Sequence, residues 1–133
     1  MRKAVSAGGI IVNGDRLLLI NHHSHPGYSF VKGHVEPGET VEQTALREMR
    51  EEAAINARII SYLGTFTRLS TERSGERVEK DIVLYLMAEV SMIDRKPEED
   101  IVWVEYSEAV LGMAYPVETQ FLRAHRTVLL GVN

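Results

Sequence analysis

Residues 33–55 read GHVEPGETVEQTALREMREEAAI. Glu36-Pro37-Gly38-Glu39-Thr40 has the composition of a turn, with Thr40 or Glu39 placed to cap a helix. From Val41 to Ala53 there is no Gly or Pro, and Leu46, Met49 and Ala53 recur at helical spacing, which predicts a helix over that span. Residues at i, i+3 and i+4 share a helix face, so Glu48, Glu51 and Glu52 project together within roughly 6 Å of axial rise. Like charges at that spacing repel by a few tenths of a kcal/mol per pair. A hard divalent cation converts the repulsion into binding, because Mg²⁺ takes carboxylate oxygens and water and leaves positions open for substrate phosphates. It would also neutralise charge developing in a transition state. A solvated acidic helix face is the alternative account of the same three glutamates.

Working outward, Lys3 to Val12 and Arg16 to Asn21, the latter containing Leu17-Leu18-Leu19-Ile20, flank the hairpin signal Asn13-Gly14 and are predicted to be antiparallel strands. His22 to Gly27 is a polar loop and Tyr28 to Val31 a short strand. After the helix, Ile55 to Thr67 and Val78 to Val90 are two long strands joined by the polar loop Ser70 to Glu76. Ile101 to Tyr106 is a further short strand, Ser107 caps a short helix through Leu111, and Pro116 opens a last helix that runs to Leu130 and ends at Gly131. Strands surrounding one central helix, with a helix at the C-terminal end, predict an α/β (α+β) sandwich with a mixed sheet. No internal repeat or linker divides residues 1–133, so the chain is expected to be one domain.

The composition, 44% hydrophobic and 26% charged over 133 residues, is globular. There is no cysteine, which excludes thiol nucleophiles, thiolate zinc sites and iron–sulfur clusters. The net charge of −4 belongs to residues 36–52, where six glutamates face two arginines; the remainder holds 13 acids and 13 bases. That balance argues against a nucleic-acid binder driven by bulk positive charge. The apolar stretch Ala4 to Val12 is short and glycine-interrupted, so no membrane segment is expected and the default location is cytoplasmic.

From Gly33, the spacing to Glu39, then to Arg47-Glu48, the bulky Met49, Glu51-Glu52 and Ile55 resembles the Nudix hydrolase signature G-x5-E-x7-R-E-U-x-E-E-x-G-U, with U a bulky aliphatic residue. The likeness extends to Leu17–Ile20, to Lys32 through Glu39, and to Ile101-Val102-Trp103-Val104 in the same order. It implies a mixed sheet between helices, and a Mg²⁺-dependent enzyme, with Mn²⁺ as a substitute, that cleaves a nucleoside diphosphate linked to another group by attack of water at phosphorus. It also implies that Glu48, Glu51 and Glu52 bind metal, with one of them as base, and that the backbone carbonyl of Lys32 or Gly33 is a further ligand. Glu39 would lie near the cluster, and Arg47 would pair with an acid and fix the loop against the helix. Two residues depart from the pattern: Ala54 stands at the signature glycine, and Val31 where relatives often carry proline. If the backbone at Ala54 has a positive φ, the alanine costs on the order of 1 kcal/mol.

Further candidates are weighed against plainer roles. His22, His23 and His25 are loop histidines that suit substrate contact better than metal ligation; His34 is a substrate contact or a structural hydrogen-bonder. Lys80 reaches a substrate phosphate or is a surface lysine, and relatives acting on dinucleoside polyphosphates tend to carry a lysine there. Glu98 and Glu99 form a charged turn or add a metal-facing acid. Tyr28, Phe30 and Phe66 stack on a base or fill the core. Lys32 to Glu39 looks most like the diadenosine tetraphosphate hydrolases, whereas Thr71, Glu72 and Arg73 stand where those commonly have a tyrosine. A nucleoside triphosphate or nucleoside diphosphate sugar is the next substrate class, and a non-catalytic nucleotide sensor is the alternative outside the enzymes. The expected partner is a small nucleotide, and the expected assembly a monomer or homodimer.

Overall fold

A computed structural model describes residues 1–22 and 26–131. The chain runs β1 (Arg2–Asn13), β2 (Arg16–Asn21), β3 (Tyr28–Ser29), β4 (Val31–His34), α1 (Val41–Ala53), β5 (Ile55–Thr71), β6 (Arg77–Met92), β7 (Ile101–Glu105), α2 (Tyr106–Gly112), α3 (Pro116–Ala124) and α4 (Arg126–Leu130). The seven strands form one mixed sheet in the order β3-β2-β1-β6-β5, with β4 on β1 and β7 on β2. β1 and β6 are parallel over ten register pairs from Arg2↔Val78 to Ile11↔Met87, and the other pairings are antiparallel.

Both faces of the sheet are covered, which explains why Leu17-Leu18-Leu19-Ile20 is an unbroken apolar run and not an alternating one. Leu17 and Leu19 join Ile10, Ile82, Leu84, Phe121 and Leu122 under α2, α3 and α4. Leu18 and Ile20 join Ala7, Ile11, Ala45 and Met49 under α1. Phe30, Phe66 and Phe121 pack ring to ring in the first of these cores, at centroid separations of 5.3 to 6.0 Å. The aromatic pair Phe30 and Phe66 is therefore packing.

Three sequence expectations need correction. The β1–β2 register pairs Asn13 with Arg16, so the two loop residues are Gly14 and Asp15, with Gly14 at φ 65°, and not Asn13-Gly14. The short helix α2 starts at Tyr106, with Glu105 and not Ser107 as its cap residue. The last helix breaks at His125, whose ring bonds the carbonyls of Phe121 (2.7 Å) and Leu63 on β5 (2.9 Å). That tertiary contact has no counterpart in the local periodicity.

Candidate active site

α1 begins at a capping box. Thr40 Oγ1 accepts from the Gln43 N–H at 3.1 Å, and Gln43 returns the bond by accepting from the Thr40 N–H at 2.9 Å. The helix ends at Ala54, which adopts φ 56° and ψ 41° and sends its N–H to the Arg50 carbonyl at 3.0 Å. Ala54 does take the left-handed conformation, which favours the glycine of the signature.

Between these ends, the Arg47 guanidinium is the hub. Its Nε and Nη2 donate to the two oxygens of Glu39 at 2.7 and 3.0 Å, Nη1 donates to Glu48 at 2.8 Å and Glu51 at 3.1 Å, and Nη2 donates to the His34 carbonyl at 2.9 Å. Its side chain is only 15% exposed, so the fork is worth more than a surface ion pair. Glu39 also accepts from the Thr44 hydroxyl at 2.7 Å and the Glu36 N–H at 3.0 Å. The hydrogen bonds from Arg47, then those from Thr44 and Glu36, hold the Glu39 carboxyl down at about 2. Glu39, foremost among its partners, raises Arg47 beyond its ordinary range.

Glu48 and Glu52 are in the opposite state. Burial pushes the Glu52 carboxyl up to about 8, with repulsion from Glu48 adding to it, although Glu52 accepts the Lys32 N–H at 3.0 Å. Burial also raises Glu48, against the pull of Arg47. Glu51, whose side chain is 43% exposed, completes the group on the solvent side. Glu98 and Glu99 dock on the end of α1 through N–H bonds to the Glu51 and Glu52 carbonyls at 3.4 and 3.2 Å, and their charges raise Glu48 and Glu52 in turn. The charged turn thus adds to the negative potential of the cluster.

The backbone of β4 is close by because Gly33 has no side chain. A Cβ on Gly33 would lie 2.1 Å from Cδ and Oε1 of Glu48. All-oxygen donors, held where their mutual repulsion opposes ionisation, suit a hard divalent cation. Among the described residues no three His, Asp or Glu side chains are already drawn into a metal-ligating group; Arg47 stands between Glu48 and Glu51 instead.

The other candidates separate. His34 lies on β4 opposite Ser6, and burial, then Lys80, lowers its ring pKa. Lys80 on β6 is lowered by burial and carries coupling to Glu72 and Arg68. Tyr28 packs in the α2–α3 core, its ring filling the space beside Gly112. His22, at the far end of β2, bonds Ser29 Oγ at 2.5 Å. His23 and His25 lie outside the described residues.

The sequence reading missed Arg68, Tyr115 and Glu118. Arg68 lies 4.0 Å over the Tyr115 ring, and Glu118 on α3 is fully buried with its charge acting on Lys32 and Arg68. The signal for Glu118 was its spacing: it stands three and four residues before the buried Phe121 and Leu122, on the stripe where an acid does not belong.

A NUDIX domain family model matches residues 2–125. A Mycobacterium tuberculosis protein assigned as mutator protein MutT4 is 35% identical over 127 residues, covering 85% of this chain and 50% of that protein. Bis(5'-nucleosyl)-tetraphosphatase [asymmetrical] of Sus scrofa is 41% identical over 73 residues, covering 55% of this chain and 46% of its own length. The chain thus spans about half the length of these curated relatives. A NUDIX hydrolase from Nitrosomonas europaea superimposes with a TM-score of 0.77 at 20% identity, covering 96% of this chain and 91% of that one, which is a likeness of fold. Among the described residues no helix is long and apolar enough to cross a membrane.

Proposed function

The chain belongs to the NUDIX domain family, and on that premise we propose that it hydrolyses a phosphoanhydride bond in a nucleoside diphosphate linked to another group, with a dinucleoside polyphosphate as substrate. The observation that carries this reading is the pairing of an Arg47-clamped carboxylate group with the open backbone at Gly33. Glu48, Glu51 and Glu52 would hold a divalent cation, Mg²⁺ or Mn²⁺, beside the carbonyls of Lys32 and Gly33. Such an ion polarises phosphoryl oxygens and offsets charge gathering on the leaving group. Arg47 and Glu39 keep the loop before α1 fixed against the helix, so the carboxylates need little reorganisation when substrate arrives. The Lys32 N–H holds Glu52 from the strand side. The dinucleoside polyphosphate assignment is supported by the Lys32 to Glu39 string and by the name of the Sus scrofa relative.

The test is a substrate panel with Mg²⁺ in ¹⁸O-labelled water, run on the wild type and on Glu51→Gln and Glu52→Gln. Release of a nucleoside monophosphate, lost in both variants without loss of folding, is expected. Unchanged turnover in both variants would overturn the site. Tight nucleotide binding with no turnover over hours would instead identify a sensor.

A further inference from the structure

α1 ends where its own field is least favourable to what it carries. Glu51 and Glu52 lie in its last turn, at the negative end of the helix, where carboxylates are disfavoured and backbone carbonyls lack partners within the helix. At the exit Ala54 adopts the left-handed conformation without being glycine. That turn is held from outside.

The hold comes from the segment between β6 and β7. The Ile93 N–H donates to the Ala54 carbonyl at 2.8 Å, and the Glu98 and Glu99 N–H groups donate to the Glu51 and Glu52 carbonyls at 3.4 and 3.2 Å. Between them the Arg95 guanidinium donates to the Glu51 carbonyl from both Nη1 and Nη2, at 3.3 Å each, and to the Arg50 carbonyl from Nη2. Nη1 also donates to the Lys96 carbonyl at 3.1 Å, which ties the guanidinium to its own segment. The far end of the segment is fixed too, since the Asn21 N–H of β2 donates to the Asp100 carbonyl at 2.9 Å. Arg95 is exposed, and Asp94, Glu98 and Glu99 stand within four residues of it, yet among the described residues it forms no salt bridge. A guanidinium that has acids to hand and donates to main-chain oxygens serves the geometry of those oxygens.

We infer that Arg95 is a positioning residue for the metal-binding carboxylates: by clamping the Arg50 and Glu51 carbonyls to the segment of residues 93–99, it sets the last turn of α1 and with it where Glu51 and Glu52 meet a divalent cation. The inference rests on the hydrolase reading above. The bonds of Arg95 reach carbonyls, so it acts on the two carboxylates through the backbone. Groups one step removed from a metal typically cost about 10- to 100-fold in affinity or activity when lost. Position and charge make opposite predictions here. Taking a cation away from the end of that helix would, by Coulomb attraction alone, tighten a divalent cation there, whereas loosening the turn weakens it.

The probe is Mn²⁺ alone, titrated calorimetrically into the substrate-free protein after EDTA treatment and dialysis. Arg95→Met is expected to bind Mn²⁺ about tenfold more weakly, and Arg95→Lys, which keeps the charge but not the fork, to recover part of the loss. With Mg²⁺ saturating, kcat for diadenosine tetraphosphate should fall by about the same factor while KM stays within about twofold. In EDTA, amide hydrogen exchange at Glu51 to Ala54 should quicken in Arg95→Met, and an unchanged rate there overturns the proposal. Mn²⁺ affinity in Arg95→Met equal to the wild type or tighter also overturns it, whatever happens to urea stability. So does full wild-type affinity in Arg95→Lys, which decides alone if Arg95→Met fails to fold. A wild type that binds no Mn²⁺ and hydrolyses nothing brings down the hydrolase reading and this inference with it. A wild type that binds and hydrolyses beside an indifferent Arg95→Met leaves that reading standing and removes this one.

Discussion

Gly33→Ala isolates what the open backbone of β4 does. The added Cβ would lie 2.1 Å from Cδ and Oε1 of Glu48 and 2.5 Å from Oε2. Non-bonded carbons settle at about 3.5–4.0 Å, so the carboxylate must retreat by more than about 1 Å. The obstacle is the tip of a side chain, and the fold survives its rotation. What is lost is the 2.8 Å bond from Arg47, a charge-assisted contact of about 1.5–3 kcal/mol, together with the placement of Glu48. Misplacing a working group by about 1 Å costs on the order of 10²-fold in rate. Gly8→Ala is the contrast, because its Cβ would meet the Val31 carbonyl oxygen at 1.9 Å and the Lys32 Cα at 2.7 Å, backbone that cannot move without parting β1 from β4. Urea denaturation and Mg²⁺-dependent hydrolysis of diadenosine tetraphosphate separate the two. Gly33→Ala should lose about 2 kcal/mol of stability and about 10²-fold in kcat/KM, whereas Gly8→Ala should lose more than about 3 kcal/mol. A Gly33→Ala protein with wild-type kcat/KM refutes the reasoning.

Arg47→Lys cannot reproduce a fork that meets Glu39 twice and Glu48 and Glu51 together, so it should destabilise by about 2 kcal/mol in urea; a change below about 0.5 kcal/mol would show that the fork is replaceable. In EDTA the stability profile should have two limbs. Glu39, depressed from 4.5 to about 2, contributes stability that is present above pH 4.5 and fades as pH falls towards 2. Glu52, raised from 4.5 to about 8, contributes stability that is complete below pH 4.5 and is lost as pH rises through 8. Added Mg²⁺ should remove the alkaline limb, and its affinity should rise about tenfold per pH unit between 6 and 8 as one proton leaves Glu52; a pH-independent affinity, measured by calorimetry, would contradict this. At Ala54, glycine relieves a left-handed backbone worth about 1 kcal/mol but gives up a buried methyl worth about 0.8 kcal/mol. Ala54→Gly should therefore stay within about 1 kcal/mol of wild type, while Ala54→Val, β-branched and buried at that φ, should lose about 2 kcal/mol or more. A gain above about 1 kcal/mol in Ala54→Gly by equilibrium denaturation would mean the methyl offsets nothing.

The carboxylate cluster of the candidate site was legible because it is local. Thr40 to Ala54 carries its own start signal, period and stop, and Arg47 reaches Glu48 and Glu51 within one turn of the same helix. The double-faced burial of Leu17–Ile20 follows from the same kind of short-range pattern. The parallel β1–β6 pairing joins residues more than seventy positions apart, and nothing in either strand names the other. The break at His125 depends on Leu63, and the Arg68–Tyr115–Glu118 group draws on β5 and α3 at once. Such groupings come from topology, and a linear pattern holds no record of them.

Lys32 and Gly33 present opposite faces of β4. Successive residues of a strand point to opposite faces, so Lys32 opposite Gly8 turns its side chain to the α3 side, near Glu118 and Arg68, while Gly33 opposite Ala7 opens towards Glu48 on α1. The sheet thus stands between the Lys32 side chain and the carboxylates of α1, while Glu118 of α3 shares the lysine's side. The Lys32 N–H bonded to Glu52, and the His34 carbonyl bonded to Arg47, tie the β4 backbone to α1. The arrangement therefore depends on β4 register. A slip of one residue would turn Gly33 towards α3 and the lysine into the space of the Glu48 carboxylate. The pairs Ser6↔His34 through Gly9↔Val31, with the Val31 side chain buried against α1, hold that register and with it the opening beside Glu48.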